Sequence, residues 1–192
     1  MKVSREQVAE NRQRILEVAG QLFRKKGFEA VGVAEIMKTA GLTHGGFYGY
    51  FASKDDLIVH ALSHAIGTHK SVATDLGGFV EEYLSPRHRD DLGGGCPIAG
   101  LAADTLRQTR EARAAVTDGV NMYITRVSQD LDGVDETSRR HQAIAIWAAM
   151  VGATILARAI TTPTFSDEIL KATQTWINAQ LDRTAPTFPE TA

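Results

Sequence analysis

The sequence predicts an all-α protein with a small N-terminal helical domain and a larger C-terminal helical domain. Apolar residues recur at three- and four-residue spacing along most of the chain, whereas no stretch sustains the two-residue alternation of a strand. Segments rich in Gly, Pro and Asp separate the periodic stretches, as expected between helices.

The composition is that of an ordinary globular protein. The 192 residues are 43% hydrophobic and 23% charged, which suits one compact unit or two small ones. No uninterrupted apolar stretch approaches the ~20 residues of a membrane span, and the segment MKVSREQVAENRQR is polar, unlike a secretion signal. The single cysteine, Cys96, excludes an intrachain disulfide and a cysteine-based zinc site. We therefore expect a cytoplasmic protein without a membrane segment, cofactor or metal.

The charge is unevenly distributed along the chain, although the net charge is only −2. Residues 1–54 contain 9 Lys and Arg against 5 Asp and Glu, whereas residues 55–192 contain 12 against 18. The first segment is thus +4 and the second −6. Because a basic segment attracts polyanions, nucleic acid is a candidate partner of the N-terminal domain.

The first helix is predicted from Arg5 to Lys26. Ser4 and Gln7 resemble a capping box, and Gly27 follows the basic end of the segment. Its apolar stripe consists of Val8, Ile15, Ala19, Leu22 and Phe23. We expect this stripe to cover the next two helices, giving a three-helix unit that is too small to be very stable alone.

Two short helices joined by a tight turn are predicted between Val33 and Phe51. One buried face of the first consists of Ala34, Ile36, Met37 and Ala40. Gly41 supplies the left-handed residue that ends this helix. Thr43 is expected to cap the second helix, which would run from His44 to Phe51 at a steep angle to the first. A helix-turn-helix of this kind places its second helix in the major groove of DNA.

Residues at the start of the second helix are candidates for DNA contacts. His44, Gly45 and Gly46 would lie nearest the base edges, and Tyr48 would reach a phosphate. Lys54 opens another helix, whose unpaired N–H groups and ammonium suit a phosphate oxygen. Lys54 is therefore the firmest predicted phosphate contact.

The aromatic residues of the second helix divide between two faces. Phe47 and Phe51 lie four residues apart, so we expect both in the core. Tyr48 and Tyr50 then lie on the exposed side, where they are available to DNA. A helix-turn-helix used only for packing would leave the basic segment around it unexplained.

The N-terminal residues also form a family pattern. The pattern consists of Gly27-Phe28, Ala40-Gly41, Tyr48, Tyr50-Phe51, Lys54 and Leu57, and it covers roughly the first third of the chain. It resembles the TetR family of bacterial transcriptional regulators. The resemblance implies a homodimer that binds double-stranded operator DNA through the helix-turn-helix and a small effector through its helical C-terminal domain.

Two features depart from the family pattern. Val33 stands where the family commonly has a Thr or Ser that contacts phosphate, and three glycines, Gly45, Gly46 and Gly49, weaken the second helix. The glycines leave His44, Tyr48 and Tyr50 as the main exposed side chains. The predicted DNA-binding residues are Val33, Thr43, His44, Gly45, Gly46, Tyr48, Tyr50 and Lys54.

Further helices are predicted through the rest of the chain. They cover residues 53–70, 71–84, 97–106, 111–131, 136–160 and 166–181, with a polar loop at 85–95. The expected domains are a helix-turn-helix DNA-binding domain at 1–53, an effector-binding and dimerisation domain at 54–183 and a disordered tail at 184–192.

The segment 136–160 is apolar on too much of its circumference to be a surface helix. Small residues that permit close helix approach lie at Ala143, Ala145, Ala148, Ala149, Gly152 and Ala153. Pairing this helix and the next one with those of a second copy would make a four-helix dimer interface. The family resemblance implies the same arrangement.

Aromatic and flexible side chains of the middle helices are candidates to line a mostly apolar effector cavity. They are Phe79, Tyr83, Cys96, Met122, Tyr123 and Trp147, each of which is also an ordinary core residue type. Cys96 precedes a predicted helix, where backbone dipoles favour a thiolate, so sensing of an oxidant or electrophile is an alternative to simple packing.

Other classes of function receive little support from the sequence. There is no GxSxG, P-loop or dinucleotide-binding glycine pattern, so we expect no enzyme and assign no catalytic residue. His60 and His64 share a helix face but lack the further ligands of a metal site. The hypothesis is a repressor released from a palindromic operator by a small, mostly apolar effector. The alternatives are a dimeric helical adaptor and a thiol-based sensor using Cys96.

Overall fold

The computed structural model describes residues 4–69, 71–131 and 135–184, and within these ranges the chain is helical and contains no strand. The α-helices are α1 (Arg5–Lys26), α2 (Val33–Thr39), α3 (Lys54–Thr68), α4 (Leu76–Tyr83), α5 (Pro86–Asp90), α6 (Pro97–Thr105), α7 (Arg110–Gln129), α8 (Glu136–Ala159) and α9 (Pro163–Thr184). A 3₁₀ helix at His44–Gly49, called the recognition helix below, lies between α2 and α3. The predicted all-α class is confirmed. Of the predicted tail, residues 185–192 lie outside the described residues.

α1 has the limits that the sequence predicted. The Ser4 hydroxyl accepts a hydrogen bond from the Gln7 backbone N–H at 3.1 Å, which caps the first turn. The helix ends at Gly27, whose φ of +79° lies in the left-handed region, and a Cβ there would lie 2.7 Å from Oδ2 of Asp104. The backbone conformation therefore favours glycine at this position, and a larger residue would also displace the Asp104 carboxylate.

The chain divides into two compact units. The first contains residues of Met1–Lys70 and Asp91–Gly119, and the second contains those of Ser71–Asp90 and Val120–Ala192. The predicted domain boundary between residues 53 and 54 coincides with neither limit. α3, α6 and the first half of α7 belong to the same compact unit as the helix-turn-helix.

The core of the first unit explains this division. Phe23 of α1, Ile36 of α2 and Phe47 of the recognition helix are buried in one cluster. Leu57 of α3 and Leu101 of α6 belong to the same cluster. Because three short helices bury too little apolar surface to be stable alone, the later helices complete the core. The recognition helix therefore rests on a core to which α3 and α6 contribute.

The second unit is organised around α8 and α9, which pack against each other, with α4 against α9 and α5 against α8. Tyr123 and Trp147 are buried in its core. Arg158 donates from Nε to the carbonyl oxygen of Arg89 at 2.9 Å and from Nη2 to that of His88 at 3.0 Å. These bonds satisfy carbonyl groups that a helix C-terminus leaves unpaired, so they fix α5 against α8.

Local side-chain caps shift the start of α4. The helix was predicted from Ser71, but it begins at Leu76 because the Asp75 carboxylate accepts a hydrogen bond from the Gly78 backbone N–H at 2.7 Å. The predicted polar loop at 85–95 contains the short helix α5. The sequence therefore located these elements within a few residues but misjudged their ends.

The start of α9 also differs from the prediction. Ser166 was expected to begin this helix, whereas the helix begins at Pro163, a residue suited to a first helical position. The Ser166 hydroxyl donates to the Ala157 carbonyl oxygen at 2.7 Å and accepts from Nη1 of Arg89 at 2.9 Å. Ser166 is thus a buried link between elements of the second unit, with no capping role.

α8 and α9 keep large apolar side chains exposed. These are Ile144, Ile155 and Leu156 on α8 and Phe165 and Trp176 on α9. Within the described part of the chain, α8 is also the one helix long and apolar enough to cross a membrane by length and composition. It packs against α9, however, and buries the side chains of Trp147 and Met150, as a core helix does.

Candidate nucleic-acid interface

The turn between α2 and the recognition helix has the geometry of a Schellman motif. Gly41 adopts a φ of +72°, its N–H donates to the Lys38 carbonyl at 3.1 Å, and the Leu42 N–H donates to the Met37 carbonyl at 2.8 Å. This pair of bonds ends α2 and requires the left-handed residue that glycine supplies. The predicted turn at Gly41 is therefore present.

The recognition helix is a short 3₁₀ helix, which corrects the predicted α-helix from His44 to Phe51. It ends at Gly49, and Thr43 precedes it without a side-chain cap, so the predicted cap is also absent. Three glycines reduce the intrinsic preference for an α-helix by up to about 1 kcal/mol each. The backbone instead takes the tighter 3₁₀ form, in which residues three apart lie on one line.

The exposed side of the recognition helix is dominated by one side chain. Tyr48 is 73% exposed, and Gly45, three residues earlier, is also exposed. Phe47 and Phe51 are buried, with ring centroids 5.9 Å apart, so their predicted core positions are confirmed. His44 is exposed at the start of the helix. A partner that approaches this side meets His44, Tyr48 and glycine backbone.

Tyr50 is held by α1. Nδ2 of Asn11 donates to the Tyr50 hydroxyl at 3.1 Å, and Nε2 of Gln7 donates to Oδ1 of Asn11 at 3.3 Å. Asn11 is buried and Tyr50 is half-buried. Tyr50 therefore fixes the end of the recognition helix, and its hydroxyl is already engaged within the protein. Sequence reasoning missed this role of Asn11, because Asn11 lies 39 residues from Tyr50 along the chain.

Lys54 begins α3 and leaves its ammonium available to a ligand. This ammonium makes no ion pair or hydrogen bond within the described part of the chain. The Ser53 hydroxyl accepts from the Asp56 N–H at 3.0 Å, and the Asp56 carboxylate accepts from the Ala52 N–H at 2.9 Å. Because Asp55 and Asp56 place carboxylates in the first turn, the Lys54 side chain suits a phosphate better than the helix N-terminus does.

Val33 lies at the start of the helix-turn-helix, and Arg12 contacts Phe51 at its end. Val33 is the first residue of α2, follows Gly32 without a side-chain cap, and packs partly against the core, so it offers a phosphate only its backbone N–H. The Arg12 guanidinium lies over the Phe51 ring, 4.9 Å from its centroid. The sequence did not single out Arg12, because a cation–π contact between residues so far apart has no local pattern.

The two histidines of α3 each contact a neighbouring side chain. His60 lies 3.4 Å from an Asp56 carboxylate oxygen, and His64 lies 3.2 Å from Nε2 of Gln13. Among the described residues, no three or more His, Cys, Asp or Glu side chains are grouped as metal ligands would be. The two histidines therefore make ordinary contacts with neighbouring side chains, which account for their positions on α3.

Four of the six predicted effector residues contact one another in the second unit. Phe79, Tyr83, Tyr123 and Trp147, called the aromatic cluster below, are buried in the second unit. The Trp147 ring stacks on Tyr123 at 4.3 Å and contacts Tyr83 edge-on at 5.3 Å. Met122 is exposed.

Cys96 belongs to the first unit, whereas the aromatic cluster belongs to the second. It is fully buried at the residue before α6, and its side chain makes no capping hydrogen bond there. A buried thiol is poorly placed to meet an oxidant or electrophile from solvent.

Similarity to known proteins agrees with the fold and the helix-turn-helix. Residues 15–61 match the model of the bacterial regulatory proteins of the tetR family. The chain is 25% identical over 169 residues to the HTH-type transcriptional repressor NemR of Escherichia coli strain K12, covering 78% of this chain and 84% of NemR.

Solved structures have the same fold over most of their length. The reduced form of Escherichia coli NemR superposes with a TM-score of 0.71 at 22% identity, and the match covers 88% of this chain and 96% of the NemR chain. A TetR transcriptional regulator from Chloroflexus aurantiacus has a TM-score of 0.70 at 25% identity and covers 90% and 96%. The chain is therefore similar to the bacterial regulatory proteins of the tetR family, both in its helix-turn-helix segment at residues 15–61 and in its fold.

Proposed function

We propose that this chain is a ligand-responsive DNA-binding transcriptional repressor. The observation that carries the proposal is the recognition helix, which exposes Tyr48 while Phe47 anchors it to a core shared with α1 and α3. Repression is favoured over activation because the relative NemR is named a repressor. The protein would act in the cytoplasm as a regulator, without a catalytic role.

In this proposal the recognition helix enters the major groove of operator DNA. His44 and the backbone at Gly45 and Gly46 face base edges, whereas Tyr48 and Lys54 contact phosphates. Val33 at the start of α2 and Thr43 before the recognition helix approach the DNA backbone. Tyr50 acts by holding the recognition helix in place. The net charge of +4 over residues 1–54 attracts the DNA.

A homodimer would present two recognition helices to a palindromic operator. The exposed apolar side chains of α8 and α9, including Leu156 and Trp176, support such a pairing, because faces of this kind usually pack against another subunit. Ala145 and Ala148 are exposed on α8 and would allow a close helix approach. A four-helix interface follows if both copies use the same pair of helices.

The effector is proposed to be small and mostly apolar. If it binds at the aromatic cluster together with Met122, the rings must separate, because Trp147 now stacks on Tyr123. The thiol-sensing alternative is less favoured, since Cys96 is buried. The alternative of a helical protein adaptor leaves the unpaired Lys54 ammonium and the basic first segment without a role.

Selection of duplexes from a random pool tests the central proposal. The full chain should enrich a palindromic site whose half-sites lie about one helical turn apart. Affinity for the selected duplex should fall steeply with salt, because phosphate contacts release counterions. A dimeric chain that shows no enrichment and no salt dependence would support the adaptor.

Base reading by His44 has a separate test. His44→Ala should reduce affinity for the selected duplex more than affinity for a random duplex, because base contacts carry the sequence preference. Fluorescence anisotropy on both duplexes gives the ratio of the affinity for the selected duplex to the affinity for the random duplex. Equal losses on the two duplexes would contradict a base contact by His44.

A further inference from the structure

The first unit contains an open groove between α6 and the beginning of α7. Its volume is about 660 Å³, within the range of ~300–1,000 Å³ usual for small-molecule sites. The lining includes Ala102, Thr105, Leu106, Arg110, Arg113 and Val116. None of these residues belongs to the DNA-contacting set or to the aromatic cluster, so the groove is a separate feature of the unit that holds the recognition helix.

The lining combines an apolar surface with positive charge. Leu106 is 70% exposed and Val116 is half-buried, which provides hydrocarbon surface for a ligand. Arg110 and Arg113 lie three residues apart on α7, so they project on the same side of the helix. Within the described residues the Arg113 guanidinium has no hydrogen bond or ion pair. Asp118 also lines the groove, so the lining has one more positive than negative charge.

We propose that this groove binds an amphipathic organic anion, such as a medium-chain carboxylate. The carboxylate pairs with the guanidinium groups of Arg110 and Arg113, which match its two oxygens in geometry and charge. The hydrocarbon chain covers Leu106 and Val116 and removes their apolar surface from water. A neutral apolar ligand would leave the guanidinium groups unpaired, and an inorganic anion would leave the apolar surface exposed.

The helices that line the groove also contribute residues to the core beneath the recognition helix. Val116 packs against the cluster that contains Phe47 and Phe51. Leu101 of α6 and Ala112 of α7 are buried members of that same cluster. A ligand in the groove therefore touches two helices that contribute buried residues to the same core as the recognition helix. If it prefers one arrangement of that core, DNA affinity changes with occupancy, and DNA changes ligand affinity by the same factor. This regulatory step rests on the proposed DNA-binding function, whereas binding to the groove does not.

Equilibrium dialysis of the full chain with decanoate and with 1-decanol tests the proposal. The double substitution R110Q and R113Q should weaken decanoate binding at least about tenfold, because it removes charge-assisted hydrogen bonds. Binding of 1-decanol should stay within about twofold, since the alcohol is neutral. R87Q removes an exposed arginine of α5 outside the groove and serves as the matched control, with both affinities unchanged.

A second variant tests the position of the ligand. Ala114 is exposed and lines the groove, so Ala114→Trp should fill it and abolish binding of both probes while the urea midpoint stays unchanged. Decanoate binding that survives both variants would overturn the proposal. Sedimentation that changes in either variant with decanoate binding intact would assign the groove to contact between copies instead.

The two proposals can fail separately. Duplex selection without decanoate binding would overturn the groove site and leave the repressor proposal in place. Charge-dependent decanoate binding without duplex selection would overturn the repressor proposal and leave the groove site in place. Decanoate binding that leaves the affinity for the selected duplex unchanged would confirm the site and overturn its regulatory role.

Discussion

The recognition helix and the aromatic cluster differ in how much of their surface a ligand can reach. In the recognition helix, Tyr48 is 73% exposed, and a Cβ added at Gly45 or Gly49 would meet no atom within 4 Å. In the aromatic cluster, Trp147 is buried and stacked at 4.3 Å on Tyr123. The first region has open space with few side chains, and the second has many side chains with little space.

This difference separates two kinds of inference from residue type. A DNA-reading surface follows from where a helix-turn-helix must expose its second helix, so the motif locates it. A small-molecule cavity depends on how large side chains fill space, which aromatic residue types alone do not determine. The groove between α6 and α7 illustrates the point, because its lining includes small and charged residues such as Ala102 and Arg113.

Trp147→Ala should produce the largest effect on stability. Removal of a buried, stacked indole is expected to lower the free energy of unfolding by about 3–5 kcal/mol. Urea denaturation followed by circular dichroism measures the change. A loss below about 1 kcal/mol would mean that the rings pack loosely, and the contrast with the open recognition helix would disappear.

Lys54→Ala should weaken binding to specific and random duplexes alike, by about tenfold, because it removes a phosphate contact. The slope of log affinity against log salt should become shallower by about one. Lys171→Ala removes an exposed lysine of α9 and should change neither quantity. An unchanged salt slope for Lys54→Ala would contradict the phosphate assignment.

The two tyrosines of the recognition segment provide a matched pair. Tyr50→Phe leaves the Asn11 amide without its acceptor, so it should lower the free energy of unfolding by about 1 kcal/mol and weaken DNA binding severalfold. Tyr48→Phe should weaken DNA binding without changing stability, because its hydroxyl lies on an exposed side chain. Urea denaturation and anisotropy separate the two effects, and identical behaviour of both variants would refute the positioning role of Tyr50.

Gly49→Ala should produce the smallest effect on stability. We expect it to raise the stability of the fold slightly and to lower DNA affinity. Alanine favours helical backbone over glycine by up to about 1 kcal/mol, and the added methyl group has room. Stability should therefore rise slightly, whereas DNA affinity should fall if the DNA approaches the backbone closely at this position. A gain in both would show that the glycine is not needed for contact with DNA.

The sequence predicted the elements whose causes are local. The limits of α1 follow from Ser4 and Gly27, and the turn after α2 follows from Gly41. The buried positions of Phe47 and Phe51 follow from helical spacing. Each of these features depends on residues within a few positions of one another, so a local sequence pattern predicts it.

Features that depend on distant residues were not predictable in this way. The bond from Asn11 to Tyr50 joins positions 39 residues apart, and the inclusion of α6 in the first unit depends on tertiary packing around Leu101. The 3₁₀ form of the recognition helix is an intermediate case. The glycines signalled a weak α-helix, but they did not specify which backbone would replace it.

The open space around the recognition helix has an evolutionary consequence. Gly45 lies three residues before Tyr48, so in a 3₁₀ helix a side chain there would stand on the same exposed line, one turn earlier. The Cβ of such a side chain would meet no neighbouring atom within 4 Å. A single base change in the gene can therefore add a base-reading group without disturbing the core, which lets a lineage explore new operator sequences by steps that preserve folding.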